Sequence, residues 1–309
     1  MRSAEWFVDR FGLTGDASLV GPVDRGFQGQ VWQLVCGSGT YAVKETTAPL
    51  APAQVRAAYA LQTRAAARGV AAPRQLPTVD GEPAAYVDGE TWRVFDWVTL
   101  AGPDRGLDPA AVGRLLAALH ATGGPADGKV DGWYVDAIGR DRWVELIAEL
   151  RCAGAPFADD LDAQLDDLLA LAATFEPPQD QLMCHRDLWA DNVRAGPAGP
   201  VVIDWDNCGP ASAVGELAMV LVEFGTSAGR ARLLYDAYCG AGGPARLVGL
   251  GDFTMPGAVL QHLLELGATQ WLAAGGDQAR QRAEQRVREF TDDPFGVAQA
   301  AELLDACQS

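Results

Sequence analysis

The sequence has few basic residues and no long apolar run. Its 309 residues contain 24 Lys and Arg against 41 Asp and Glu, which gives a formal net charge of −17 at pH 7. Nucleic acid and anionic membranes would repel such a chain, so we expect neither as a partner, whereas a cationic ligand would suit this charge. The first residues have no apolar run of signal-peptide length, and no segment is long enough to span a bilayer.

Cysteine is sparse and scattered. The six cysteines form no C-x-x-C pair and no zinc-type spacing; they are Cys36, Cys152, Cys184, Cys208, Cys239 and Cys307. We therefore expect free thiols and a cytoplasmic protein. A composition of 49% hydrophobic and 21% charged residues predicts a globular chain, and 309 residues fit one large domain or two lobes.

Polar residues stand at a distinctive spacing in the stretch 184–193. His185, Asp187 and Asn192 follow the pattern H-x-D-x-x-x-x-N directly after an apolar segment. A β-branched run at 201–203 then ends in two carboxylates, Asp204 and Asp206.

A turn-forming hexapeptide, residues 195–200, separates the two motifs and is composed of Ala, Gly and Pro. Such a turn predicts a short hairpin between 193–194 and 201–203. The hairpin would bring Asp187, Asn192 and Asp204 close together at its open end. Two carboxylates and a carboxamide suit a hard cation such as Mg²⁺, with one carboxylate left to act as a base.

Together the two motifs resemble the catalytic core of kinases with the protein-kinase fold. The resemblance is closest to the aminoglycoside phosphotransferase family, which carries an I-D-W-D-type segment, here residues 203–206, where protein kinases carry D-F-G. It implies an α+β, protein-kinase-like fold of two lobes. Residues 1–98 would form a small antiparallel β lobe that binds nucleotide, and residues 99–309 a larger, mainly helical lobe with the catalytic loop, metal site and substrate pocket.

The resemblance also implies roles. Asp187 would be catalytic, accepting the proton of the acceptor hydroxyl or orienting that hydroxyl, and Asn192 and Asp204 would hold Mg²⁺. The phosphate donor would be ATP, with GTP left open. His185 more plausibly braces the loop, since imidazole is a poor Mg²⁺ ligand.

A glycine-containing turn precedes an apolar strand that contains a lysine. Gly26, Phe27, Gln28 and Gly29 join two β-rich runs, and glycines there would let backbone amides approach a phosphate, although most such turns merely reverse the chain. Lys44 lies in the segment Y-A-V-K and resembles the kinase lysine that contacts the α- and β-phosphates. The alternative is a lysine on the exposed face of an edge strand.

Four residues are assigned by position alone. In the kinase fold the hinge after the last strand of the small lobe presents backbone groups to the adenine. Phe95, Asp96, Trp97 and Val98 occupy that position here.

One feature departs from the family. The helix predicted over residues 52–68 should supply a glutamate to Lys44, but it contains no acidic residue. Glu45 adjoins Lys44 and should point to the opposite face of the strand. Either another group holds Lys44 or its partner is only the nucleotide, and we assign it no partner.

Helical periodicity dominates the second half. Helices are predicted over 109–121, 141–152, 159–175, 213–224, 228–238, 256–273, 278–290 and 297–306. His120 is predicted to be a packed core residue. Residues 225–229 match the nucleophile-elbow pattern G-x-S-x-G, but helical spacing continues into them, so we interpret them as a turn between helices.

The acceptor is the least determined part of the prediction. The motif around Asp187 matches the protein-kinase loop letter for letter, yet no activation segment follows residue 206, which favours a small-molecule kinase. An aminoglycoside or a related amino sugar or antibiotic is the expected acceptor. Kinases of choline, homoserine or sugars, and a nucleotide-binding pseudokinase, remain alternatives. Low-ranked candidates for substrate contact are Asp206, Trp189, Glu216, Glu265 and Trp271. We expect a monomer or a weak homodimer.

Overall fold

The computed structural model describes residues 2–25, 29–46 and 50–309. Its contacts divide the chain into two compact units. The first comprises Met1–Leu107 together with His185–Gly209, and the second comprises Asp108–Cys184 together with Pro210–Ser309.

The first unit contains a six-stranded antiparallel sheet. The strand order is β1-β2-β3-β6-β4, and β5 also pairs with β6. The strands are β1 (Ser18–Arg25), β2 (Gly29–Cys36), β3 (Gly39–Thr46), β4 (Gln75–Leu76), β5 (Ala85–Val87) and β6 (Glu90–Asp96). The antiparallel sheet predicted for the N-terminal part of the chain is confirmed.

Two helices accompany this sheet, α1 (Ala4–Phe11) and α2 (Pro52–Ala67). Ser3 caps α1 by accepting a hydrogen bond from the Trp6 amide, and Phe7 of this helix packs edge-on against Trp92. Alternation along β6 turns Trp92 into this apolar core and Arg93 to the other face.

The predicted hairpin is present as β8 (Val193–Gly196) and β9 (Gly199–Val202), with Val193 opposite Val202. The Val202 amide donates to the Ala71 carbonyl at 2.9 Å, which joins the hairpin to the first unit. Contacts thus group residues 185–209 with the N-terminal sheet, whereas the sequence assigns them to the second lobe.

The second unit is mainly helical. Its helices are α3 (Pro109–Gly123), α4 (Arg140–Ala153), α5 (Ala158–Ala163), α6 (Leu165–Ala172), α7 (Ala213–Phe224), α8 (Ala228–Gly240), α9 (Thr254–Ala273), α10 (Asp277–Thr291) and α11 (Val297–Gln308). Within it β7 (Gln181–Cys184) pairs with β10 (Gly209–Ser212). A single helix is predicted over 159–175, but the structure has two, which meet at Gln164.

Leucine and aromatic side chains of α4 and α9, among them Trp143, Leu150 and Leu264, form an apolar cluster of this unit. Ser227 caps α8 by accepting from the Arg230 amide, so residues 225–229 are a turn between helices, as predicted. In the part of the chain that the structure describes, no helix combines the length and apolarity needed to cross a membrane.

Candidate active site

Asp187 lies at the centre of a hydrogen-bonded group within the first unit. Asn192 Nδ2 donates to Asp187 Oδ2 and to the Asp187 carbonyl, both at 2.9 Å. Asn207 Nδ2 donates to the same Oδ2, also at 2.9 Å. Sequence reasoning missed Asn207, although an amide three residues after Asp204 in the same turn was a visible signal.

Both motifs contain a residue with left-handed backbone. Arg186 has φ 67° and Asp204 has φ 56°, a region that costs free energy for residues other than glycine. Arg186 Nε donates to the Asn207 carbonyl at 2.5 Å, so the two strained segments hold each other. His185 is buried, packs edge-on against Trp205, and lies 3.2 Å through Nε2 from the Ile203 carbonyl. These contacts fit the predicted bracing role.

The Asp187 carboxyl has a strongly shifted pKa. Burial raises its pKa, and the nearby charge of Asp204 raises it further, to about 7. Hydrogen bonds from Asn207 and Asn192 and the charge of Lys44 oppose this rise. A carboxyl that titrates near neutral pH is suited to general-base chemistry.

Lys44 is held by two carboxylates. Its Nζ lies 2.6 Å from Asp204 Oδ1 and 2.8 Å from Asp206 Oδ2. The sequence left open whether another group of the protein holds Lys44 or whether its partner is only the nucleotide. The structure shows that other groups of the protein, Asp204 and Asp206, hold it. Glu45 is buried on the opposite strand face, as expected.

Asp206 requires a correction. The sequence nominates it as a substrate contact, but its side chain is 3% exposed and bound by Arg93 through two hydrogen bonds. Burial would raise the pKa of its carboxyl, but Arg93 and Lys44 together hold that pKa well below its usual value. The Asp206 carboxylate is thus engaged by Arg93 and Lys44 inside the first unit.

The residues nominated for a metal fit a hard divalent cation. The Asp204 side chain is 38% exposed, and Asn192 donates through Nδ2, which leaves Oδ1 as the atom that would ligate a cation. Oxygen donors of this kind suit Mg²⁺. The negative charge of Asp204 also raises the pKa of Asp187, a repulsion that a bound cation would relieve.

The predicted nucleotide contacts are only partly described. Gly26, Phe27 and Gln28 lie outside the described residues. Gly29 begins β2, and a Cβ there would collide with the Glu45 carbonyl, so the strand pairing requires glycine.

The hinge residues take part in the sheet. The Asp96 amide donates to the Arg74 carbonyl at 2.9 Å, and the Trp97 amide donates to the Thr40 carbonyl at 3.2 Å. The Asp96 carboxylate also pairs with the Arg74 guanidinium. Because both amides are engaged, adenine recognition by this segment would have to use its carbonyls or Val98. The assignment of Phe95, Asp96, Trp97 and Val98 to the hinge stays a prediction.

Three of the residues nominated for the substrate are occupied elsewhere. Glu216 is fully buried and lies 2.9 Å from His120 Nε2, and Trp271 is buried against Phe157. Glu265 pairs with Arg142 at 2.6 Å on the surface of the helices. Trp189 is half-buried, and its carbonyl accepts from the Asn192 amide; its substrate role stays a prediction.

The second unit has a cavity of about 470 Å³ and a buried polar cluster. The cavity wall includes the acidic Glu176, Asp180 and Asp252 and the cationic Arg246, but none of the five nominated substrate residues. In the cluster His120, predicted to be a core residue, bonds Glu216 and Tyr238 and lies near Cys184. The hydrogen bonds to Glu216 and Tyr238 fix the orientation of the buried His120 ring.

Comparison with known proteins supplies the family. Residues 20–250 match the phosphotransferase enzyme family. A homoserine kinase of Gluconacetobacter diazotrophicus is 31% identical over 130 residues, which are 40% of this chain and 39% of that kinase. The chain thus spans well under half of that relative.

Solved structures show the same fold. Spectinomycin phosphotransferase in complex with ADP and spectinomycin matches with a TM-score of 0.70 and 15% identity, covering 98% of this chain and 97% of that one. An aminoglycoside phosphotransferase from Alicyclobacillus acidocaldarius matches with a TM-score of 0.61 and 19% identity, covering 92% and 90%. The predicted protein-kinase-like fold, an antiparallel sheet followed by a mainly helical region, is confirmed. Since the family match spans about three-quarters of the sequence, this chain belongs to the phosphotransferase enzyme family.

Proposed function

We propose that the protein is an ATP-dependent phosphotransferase that moves the γ-phosphate to a hydroxyl group of a small molecule. One observation carries the proposal. Lys44 is 160 positions from Asp204 in sequence, yet an ion pair to Asp204 and the charges of Lys44 and Asp204 beside Asp187 place Lys44 in one group of the first unit with Asp187, Asn192 and Asp204. Phosphoryl transfer needs positioning and charge neutralisation, and these four side chains supply both.

Each residue has a task that its geometry supports. Asn192 and Asn207 fix one oxygen of the Asp187 carboxylate, which orients the group that would accept or align the acceptor's hydroxyl proton. Lys44 would neutralise the donor's phosphate oxygens. Asn192 and Asp204 would hold Mg²⁺, which when bound offsets the negative charge of the phosphates.

For the acceptor we propose an amine-bearing alcohol, with an aminoglycoside or amino sugar as the first candidate. The net charge of −17 favours cationic ligands. Similar proteins are named for homoserine, spectinomycin and aminoglycosides. Each of these compounds combines hydroxyl groups with amino groups. The homoserine kinase similarity also favours including amino-acid alcohols among the acceptors tested.

The test is acceptor-dependent ADP release from Mg-ATP across aminoglycosides, spectinomycin, amino sugars, homoserine, choline and macrolides, with GTP as a second donor. Turnover with one acceptor, reduced about 10²–10⁴-fold in Asp187→Asn while ADP affinity persists, would support the proposal. Near-normal turnover of Asp187→Asn would remove Asp187 from its role.

Two negative outcomes have different meanings. If no acceptor is phosphorylated but ATP binds, either the acceptor is another metabolite or the protein is the nucleotide-binding pseudokinase. If ATP does not bind to the folded protein, the proposed activity is wrong. The same result would also contradict the alternative of a nucleotide-binding pseudokinase.

A further inference from the structure

Helix α2 supplies no carboxylate to Lys44. None of its 16 residues is acidic, although this is the helix from which related kinases supply a glutamate to the strand lysine. Gln54 of α2 does reach the site, but its Nε2 donates to the Asp206 carbonyl at 2.9 Å, not to a side chain. The helix therefore contacts the residue that holds Lys44 and does not hold Lys44 itself.

The register of the sheet places two cations side by side. Lys44 on β3 is directly opposite Arg93 on β6 in an antiparallel pair, so both side chains rise from the same face. Like charges directly opposite each other are destabilising in such a pair. The Asp206 carboxylate compensates both charges, because it accepts from the two terminal guanidinium nitrogens of Arg93, Nη1 and Nη2, and lies 2.8 Å from Lys44 Nζ.

The two carboxylates on Lys44 differ in exposure. The Asp204 side chain is 38% exposed, and it is the one that a cation could reach. The Asp206 side chain is 3% exposed, and Arg93, its main partner, is equally buried and is steadied by the Thr46 hydroxyl at 2.8 Å. Asp206 is therefore placed to remain on Lys44 when Asp204 turns to a metal.

We propose that Asp206, clamped by Arg93, positions Lys44 for the nucleotide phosphates and replaces the carboxylate that α2 lacks. Arg93 and Asp206 are positioning residues, since both act through Lys44. This inference rests on the proposed nucleotide site.

A double-mutant cycle between Asp206 and Lys44 tests the proposal, with ADP affinity measured by calorimetry. Asp206→Asn should weaken ADP binding about tenfold, because the substitution removes a charge-assisted hydrogen bond to Lys44. If Asp206 acts through Lys44, the same substitution should change affinity by less than about twofold in a Lys44→Met background. KM for ATP should rise, while KM for the acceptor should not.

Trp92→Phe is the matched control. Trp92 precedes Arg93 on β6 and is fully buried on the opposite face of the strand, so its replacement lowers the melting temperature without touching Asp206. ADP affinity should stay within about twofold of wild type in this control. If Trp92→Phe lost as much ADP affinity as Asp206→Asn, the effect of Asp206→Asn would be explained by general destabilisation of the protein. That result would overturn the proposal.

Arg93→Lys keeps the experiment decisive if Asp206→Asn does not fold. It retains a cation beside Asp206 and loses the two-point contact, so ADP affinity should fall about threefold, and only when Lys44 is present. Additive effects in either cycle would overturn the proposal. Failure of the wild-type protein to bind ADP would instead contradict the proposed function, so the two failures are distinguishable.

Discussion

Asn207 and Asn192 donate to the same oxygen of Asp187, each at 2.9 Å. The catalytic-loop motif supplies one amide, and the turn after the metal-site motif supplies the other. Both bonds stabilise the ionised carboxylate, in opposition to burial and to the charge of Asp204. Asn207 therefore belongs to the group that sets when Asp187 can act as a base.

Asn207→Ala should shift the acid limb of the kcat/KM profile to higher pH. The substitution removes a hydrogen bond to the charged form, so the pKa of Asp187 should rise above about 7 by up to about one pKa unit. Less of the carboxylate is then ionised at pH 7, and activity should fall there and recover near pH 9. An equal loss of activity at every pH would assign Asn207 a purely structural role.

Asp187→Asn should stabilise the metal-free, nucleotide-free protein at high pH. A pKa of about 7 in the folded state, against 3.8 for the unconstrained group, means that the folded protein binds this proton more tightly than the unfolded chain. The associated stability is complete below pH 4 and is lost as the pH rises through 7.

At pH 8 the wild type should therefore be less stable than Asp187→Asn by roughly 2 kcal/mol, because solvent around the carboxyl reduces the full effect of about 1.4 kcal/mol per pKa unit. The measurement is urea unfolding with EDTA at pH 4.5 and pH 8. The two proteins should differ far less at pH 4.5, and a constant difference would show that Asp187 titrates normally.

Asp204→Ala should abolish the magnesium-dependent part of nucleotide affinity. The variant removes the carboxylate of the nominated metal site, whose other member is the carboxamide of Asn192, while Asp206 still holds Lys44. Calorimetry with ADP should show binding in EDTA and no gain on adding Mg²⁺. Asp191→Ala changes an exposed carboxylate next to Asn192 in sequence and should keep the Mg²⁺ effect. An unchanged Mg²⁺ effect in Asp204→Ala would remove that residue from the metal site.

Glu216→Ala should lower stability and leave nucleotide affinity unchanged. It leaves the buried His120 ring nitrogen without its partner, at a cost of roughly 2–4 kcal/mol. Glu265→Ala breaks a partly exposed pair with Arg142 and should cost less than about 1 kcal/mol. Urea unfolding of both variants measures the contrast. Equal costs would show that the Glu216 contact contributes little.

Local patterns predicted the parts of the site whose residues are close in sequence. The hairpin and the grouping of Asp187 with Asn192 and Asp204 follow from motif spacing and one turn. The pairing of Arg93 with Asp206 could not be predicted in this way, because it depends on the register of β3 against β6 and joins residues 113 positions apart. No periodicity within either segment contains that information.

Glu216 and Trp271, which the sequence nominates for substrate contact, lie inside the second unit. A polar or aromatic residue in a helix is only a weak indicator of ligand contact, and α7 is apolar around nearly its whole circumference. A helix of that kind is buried on all sides, and this signal predicts an internal partner for Glu216. No sequence pattern marks the break between α5 and α6 at Gln164. The Gln164 side-chain amide donates to the carbonyl of Thr291, which is 127 positions away, and a local pattern cannot show such a contact.

The first unit is discontinuous in sequence, because its second segment, His185–Gly209, returns after the chain has built a large part of the helical unit. Lys44 and Asp204 therefore belong to one compact unit, although residues 108–184 of the second unit separate them in sequence. A change in the length of a helix within residues 108–184 should leave the Lys44–Asp204 ion pair in place, because neither residue of the pair lies in the second unit.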